Sequence, residues 1–174
     1  FHDYCRRWPG VVEAVNERFG GPREIVDHLA VVKKELFETP SFDLFAGKTF
    51  AIAPRSKRVP GTSDNPKDYP YWDGYVATLV SSGATVLQVG GPDDVLVPGA
   101  LDKRGLDPEE LLHILRGADA WVSVDTFLQH FAWLNGIPGI VVFSVSDPFI
   151  FGHKENLNIL RSRKFLREWQ FSSW

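Results

Sequence analysis

From Thr49 onward, short apolar runs alternate with longer amphipathic stretches. Four runs are rich in β-formers: Phe50-Ala51-Ile52-Ala53, Thr85-Val86-Leu87-Gln88-Val89, Ala120-Trp121-Val122-Ser123-Val124 and Ile140-Val141-Val142-Phe143. Each is almost continuously apolar, as a strand covered on both faces is. Between them, residues 70–82 (Trp72, Val76, Leu79, Val80), 108–117 (Leu111, Leu112, Ile114, Leu115) and 126–135 read as helices. Strand, helix, strand, helix predicts a Rossmann-like α/β domain over 49–174, a parallel sheet with helices on both faces. The first 48 residues differ. Pro22 follows Gly20-Gly21 where a helix can begin, and Ile25, Leu29, Val32 and Leu36 recur at near-helical spacing before Pro40 and Gly47 punctuate the chain. They predict a helical N-terminal extension over 1–48. After the last strand a helical tail carries Phe165, Trp169, Phe171 and Trp174. These aromatics suit docking on the extension and simple core closure equally.

Composition narrows the class. With 174 residues, 44% of them hydrophobic, and a net charge of −3, the chain can bury a core and is not disordered. No stretch reaches the roughly 20 apolar residues of a membrane helix. Cys5 is the single cysteine, so no internal disulfide or cysteine-built zinc site can form, which fits a reducing, cytoplasmic setting. The mildly acidic balance gives no reason to expect nucleic acid. The chain has no methionine and begins at Phe1, so its natural start is expected upstream; no charged-then-apolar leader opens it.

Charge is uneven. Residues 51–70 carry four basic and two acidic side chains, and 158–174 carry four and one. In parallel α/β sheets ligands bind beyond the strands' C-terminal ends, so the loops there matter most. The sharpest is Ser123-Val124-Asp125-Thr126-Phe127-Leu128-Gln129-His130. Thr126 and Gln129 have capping-box spacing, Asp125 stands at the sheet rim, and His130 follows Thr126 by one helical turn. The free N–H groups of that helix start suit a phosphate. A plain cap, with His130 a satisfied histidine, fits the same spacing. The second loop is Pro54-Arg55-Ser56-Lys57-Arg58, with Lys67 further on. It suits an anion through charge-assisted bonds, and equally a solvated surface. The third is Ser144-Val145-Ser146-Asp147-Pro148, where Asp-Pro starts a turn. Gly90-Gly91-Pro92-Asp93-Asp94 is a turn by composition and not a GxGxxG fingerprint. No zinc-type His spacing and no G-x-S-x-G elbow occurs, so neither a metal nor a serine hydrolase is expected.

In order, these loops resemble the C-terminal half of the family 9 glycosyltransferases, the heptosyltransferase-like enzymes of the GT-B fold. Ser123-Val124-Asp125-Thr126 with His130 is similar to the family's V-D-[ST]-G-x-x-H, and Gly136-Ile137-Pro138 follows it. Phe143-Ser144-Val145-Ser146-Asp147-Pro148 is similar to its G-x-T-D-P, and Lys67-Asp68-Tyr69-Pro70 to its K-x-W-P. The stretch from Leu106 to Asp119 resembles its helix before the motif strand. The resemblance covers about 49–160, and implies one GT-B half that binds a nucleotide-diphosphate sugar without a metal. By position it implies that Arg55, Ser56 and Lys67 face the diphosphate. Asp125, Thr126 and His130 would stand at the helix start, Ser146 and Asp147 in the third loop, and Lys103 to Leu106 near the base. Phe127 departs from the pattern, standing where the family has glycine; a bulky side chain there fills diphosphate space or stacks elsewhere.

The family places its acceptor site and general-base carboxylate in an N-terminal Rossmann domain, whereas only about 48 residues precede the domain here. A longer protein, or one domain lacking the usual base, follows; no catalytic residue is assigned. The leading expectation is a glycosyltransferase-related protein binding a nucleotide-diphosphate sugar, with an unknown acceptor and a second domain or second copy as partner. The rival is a non-catalytic nucleotide or sugar-nucleotide binder or scaffold; a third reading is a sugar-nucleotide epimerase. If Lys67 serves the diphosphate alone, its removal weakens binding and leaves the melting temperature nearly unchanged.

Overall fold

The computed structural model describes residues 45–57, 65–160 and 162–171. All but the last four residues of the expected helical extension lie outside them, as do Arg58, Arg161 and Trp174. Residues 43–174 form one compact unit. Its sheet has six strands, β1 (Thr49–Ala53), β2 (Thr85–Gln88), β3 (Leu101–Asp102), β4 (Ala120–Val124), β5 (Ile140–Phe143) and β6 (Leu157–Leu160). They lie in the order β3-β2-β1-β4-β5-β6, every pair parallel. The helices are α1 (Trp72–Ser81), α2 (Pro108–Gly117), α3 (Phe127–Leu134) and the single turn α4 (Pro148–Phe151). The expected parallel Rossmann-like α/β fold is the fold observed, and its four apolar runs are the four central strands.

Alternation within each strand divides the core. Ala51, Ala53, Trp121, Val141 and Phe143 point to one face, where Leu111 and Leu115 of α2 and Leu128 and Ala132 of α3 cover them. Ile52, Val86, Val122 and Val124 point to the other, under Trp72, Val76 and Leu79 of α1. Full burial of one such side chain is worth about 1.5–3 kcal/mol, so two packed layers outweigh any surface pair here. Trp121, 1% exposed, anchors the first layer, and its Nε1 donates to the Ile137 carbonyl at 3.2 Å. Its indole occupies the space a Cβ on Gly139 would need, so only glycine fits there.

Two strands escape the sequence pattern because they are short and exposed. Both residues of β3 are solvent-facing, and edge strand β6, Leu157-Asn158-Ile159-Leu160, is at best half-buried. The helix starts differ in mechanism. On α2 the Asp107 carboxylate accepts from the Glu109 and Glu110 amides, both at 2.9 Å, and Glu110 returns a bond to Asp107, a complete capping box. At α3 the expected box does not form. Thr126 is the N-cap but its side chain makes no capping bond, and Gln129, the other half of the box, turns to Asp125. Among the described residues no helix is long and apolar enough to cross a membrane.

Candidate functional site

Strand order reverses between β1 and β4. Ala53 pairs with Ser123, so the loops leaving both strands diverge from one point at the sheet's C-terminal edge. Such a switch point opens a crevice. Here it is a cleft of about 510 Å³ walled by Arg55, Ser56 and Lys57 after β1, Gly90 to Asp94 after β2, Lys103 and Leu106 after β3, and Thr126 to Leu128 at the start of α3.

Each wall is held by its own bonds. After β1, both the amide and Oγ of Ser56 donate to Asp68 Oδ1 at 2.8 Å, and Arg55 lies 3.7 Å from the other Asp68 oxygen. Asn65 stitches the same loops, its Nδ2 donating to the Lys57 carbonyl at 2.6 Å and its Oδ1 accepting from the Lys67 amide at 2.9 Å. After β2, the wholly buried Gln88 donates to the Val95 carbonyl at 2.9 Å and accepts from the Val97 amide at 2.7 Å. Gly90 has a φ of +140°, and the Asp94 carboxylate, accepting from the Gly91 amide at 2.8 Å, fills the space a side chain would take. After β3, Arg104 grips Asp102 through two bonds of 2.7 and 2.6 Å and donates to the Asp94 carbonyl. The Arg104 hydrogen bonds hold the Asp102 carboxyl down to about 2.

The cleft's mouth mixes charges. Arg55, Lys57 and Lys103 bring three cations and Asp93 and Asp94 two carboxylates. The first-turn amides of α3 lie at the same wall, where an intact helix leaves N–H groups unpaired. Phe127, 63% exposed, forms part of that wall and leans on Phe131 with ring centroids 5.4 Å apart.

The sequence-derived residues thus divide. Arg55, Ser56 and Thr126 line the cleft, as do Lys103 and Leu106. Asp125 lies beneath the walls, 5% exposed, its Oδ2 accepting from Lys67 Nζ at 2.7 Å and its Oδ1 from Gln129 Nε2 at 2.6 Å. Lys67 thus already neutralises a buried carboxylate, so its removal is expected to cost stability rather than leave the melting temperature unchanged. His130 is exposed and meets His153, Nδ1 to Nε2, at 2.9 Å. Burial, and then the charges of His153 and Lys67, outweigh Asp125 and hold its ring below the usual histidine value.

Ser146 and Asp147 do not reach the cleft walls. Ser146 is fully buried with its Oγ unpartnered. Asp147 caps α4 through the Phe149 amide at 3.0 Å and binds Arg163 at 2.6 Å, while its amide donates to Gln170 Oε1 at 2.8 Å. Burial favours its neutral form, but the Phe149 amide and the Arg163 guanidinium together pull its carboxyl below the usual range. The third loop still meets the loop after β1, since Ser144 Oγ donates to the Pro66 carbonyl at 2.6 Å.

Asp68 stood out only within the Lys67–Pro70 resemblance and Gln129 only as half of an expected capping box, so their true partners, Ser56 and Asp125, were not legible. The Gly90–Asp94 turn is legible as a turn, but only the strand order brings it to the cleft.

No family model matches the chain, and no curated protein sequence does. Among solved structures the chain is similar to TibC, a dodecameric iron-containing heptosyltransferase in complex with ADP-D-β-D-heptose. The two are 24% identical with a TM-score of 0.51, over 67% of this chain and 32% of that one. The likeness is one of fold, and the matched part spans about a third of that chain's length.

Proposed function

We propose that the chain is the donor-binding half of a glycosyltransferase, and that the cleft at the switch point takes a nucleoside diphosphate sugar. The observation that carries this reading is the convergence of Arg55, Lys57, Lys103 and the α3 start on one cleft of about 510 Å³ in an otherwise acidic chain. A diphosphate needs local cations and amide donors, and this cleft supplies both. The fold it shares with a heptosyltransferase bound to ADP-heptose supports the same reading. When the sugar–phosphate bond breaks, negative charge grows on the leaving diphosphate. Fixed cations and amides aimed at that charge lower the barrier without needing to reorganise.

In this reading Arg55, Ser56 and Thr126 contact the diphosphate, Lys103 and Leu106 border the base, and Lys67, Asp125 and Gln129 hold the loops in register. Asp147, bonded to Phe149, Gln170 and Arg163, keeps the third loop in place. Calorimetry with ADP, UDP and GDP tests it. At least one should bind, and Arg55→Ala should weaken it by about ten- to a hundredfold, the cost of one charge-assisted hydrogen bond. No heat with any of them refutes the reading. Binding without transfer from a panel of nucleotide sugars supports a non-catalytic sugar-nucleotide binder instead.

A further inference from the structure

The contact between His130 and His153 lies outside the cleft walls, and nothing above gives His153 a task. Two imidazole nitrogens 2.9 Å apart share one hydrogen, so one ring donates and the other accepts. The atoms that meet favour one of the two arrangements. His153 lies flat on the Trp133 indole, with centroids 4.3 Å apart and planes 7° from parallel, which fixes the plane of the ring that meets His130. Trp133 Nε1 donates to Glu155 Oε2 at 3.1 Å, which brings a carboxylate into the same cluster. The backbone of His153 is fixed, its carbonyl accepting from the Asn156 amide at 3.1 Å and from Asn158 Nδ2 at 2.9 Å. On the other side, burial and then the neighbouring His153 and Lys67 disfavour the charged form of His130. An uncharged imidazole prefers its hydrogen on Nε2, and only donation from His153 to His130 leaves both rings in that form.

We propose that His153 is a positioning residue: its Nε2–H donates to Nδ1 of His130 and locks His130 in the tautomer that carries its hydrogen on Nε2. His130 is then a standing hydrogen-bond donor at its remaining nitrogen, suited to an anionic or hydroxyl oxygen, and it is not a general base. Its consequence for ligand binding rests on the nucleotide-sugar reading of the α3 end; the tautomer itself does not.

Histidine-selective 15N NMR of the whole chain at neutral pH reads the tautomer without any variant. It should show a protonated Nε2 and an unprotonated Nδ1 on His130. His153→Gln, whose amide nitrogen replaces Nε2 as donor, should keep that pattern. His153→Ala should give mixed tautomers while the backbone amide spectrum stays dispersed. A wild-type His130 protonated on Nδ1, or a tautomer indifferent to His153→Ala, overturns the proposal. Calorimetry with ADP gives the second arm: about a tenfold loss for His153→Ala, recovered by His153→Gln. If ADP binds wild type and His153→Ala equally although the tautomer is lost, the positioning role is refuted. If ADP binds neither, the nucleotide-sugar reading fails, and the NMR result decides the tautomer lock alone.

Discussion

Replacing Lys67 by methionine should destabilise the domain. The Lys67 side chain is 21% exposed and that of Asp125 6%, and they meet at 2.7 Å. Methionine keeps the stem near the Phe151 ring, 5.9 Å from the ammonium, but removes the charge. Asp125 is then a buried carboxylate with only Gln129 for company. Breaking a buried pair from one side costs about 3–5 kcal/mol. The opening at Lys67 lets water reach the orphaned carboxylate, which brings the cost to roughly 2–3 kcal/mol. For a domain of this size that lowers Tm by about 6–15 °C. Thermal and urea unfolding followed by circular dichroism measures it. Asp125→Asn in the same chain should recover most of the loss, because an amide needs no counter-ion; the cycle isolates a coupling of about 2 kcal/mol. A Lys67→Met chain melting within about 2 °C of wild type, yet defective in nucleotide binding, would refute the pairing argument and return Lys67 to the ligand.

Other expectations follow from single contacts. Gly139→Ala drives a methyl into the Trp121 indole and should cost about 1–3 kcal/mol or more by urea unfolding. His130 is held below its ordinary 6.5, so the unfolded chain binds the proton first as pH falls. Stability should therefore decline below about pH 6.5, and His130→Asn should flatten that decline in melting curves taken across pH. Arg104→Ala frees the Gly90–Asp94 wall, and hydrogen exchange should quicken at those amides before any change in global unfolding. Phe127→Ala removes an exposed wall residue, so Tm should move little, within about 0.5 kcal/mol of stability, while ADP affinity measured by calorimetry rises.

The sequence revealed what burial dictates. Runs such as Ala120–Val124 have one reading, since a strand covered on both faces leaves little room for polar positions. The 108–117 helix matched its bounds because Leu111, Leu112, Ile114 and Leu115 repeat at helical spacing and two of them, Leu111 and Leu115, are buried. Edge strands β3 and β6 bury too little to leave a pattern. At the site, the residue types pointed to the C-terminal edge of the sheet, and Arg55, Ser56 and Thr126 do line one cleft there. Partners were not legible. Lys67 and Asp125 are 58 positions apart, and spacing cannot tell a lysine waiting for phosphate from one already neutralising a buried carboxylate. Gln129 shows the same limit locally, its capping-box position being used for Asp125.

If the cleft at the reversal of strand order takes a nucleoside diphosphate, the amides that wall it report the binding. Amide chemical-shift mapping of the 15N-labelled chain, titrated with ADP, UDP and GDP, tests it most directly. Saturable shifts are expected at Ser56, Gly91, Lys103, Leu106, Phe127 and Leu128 for at least one of the three. Spectra unchanged by all three, or shifts gathered on β6 and the tail instead, would contradict it.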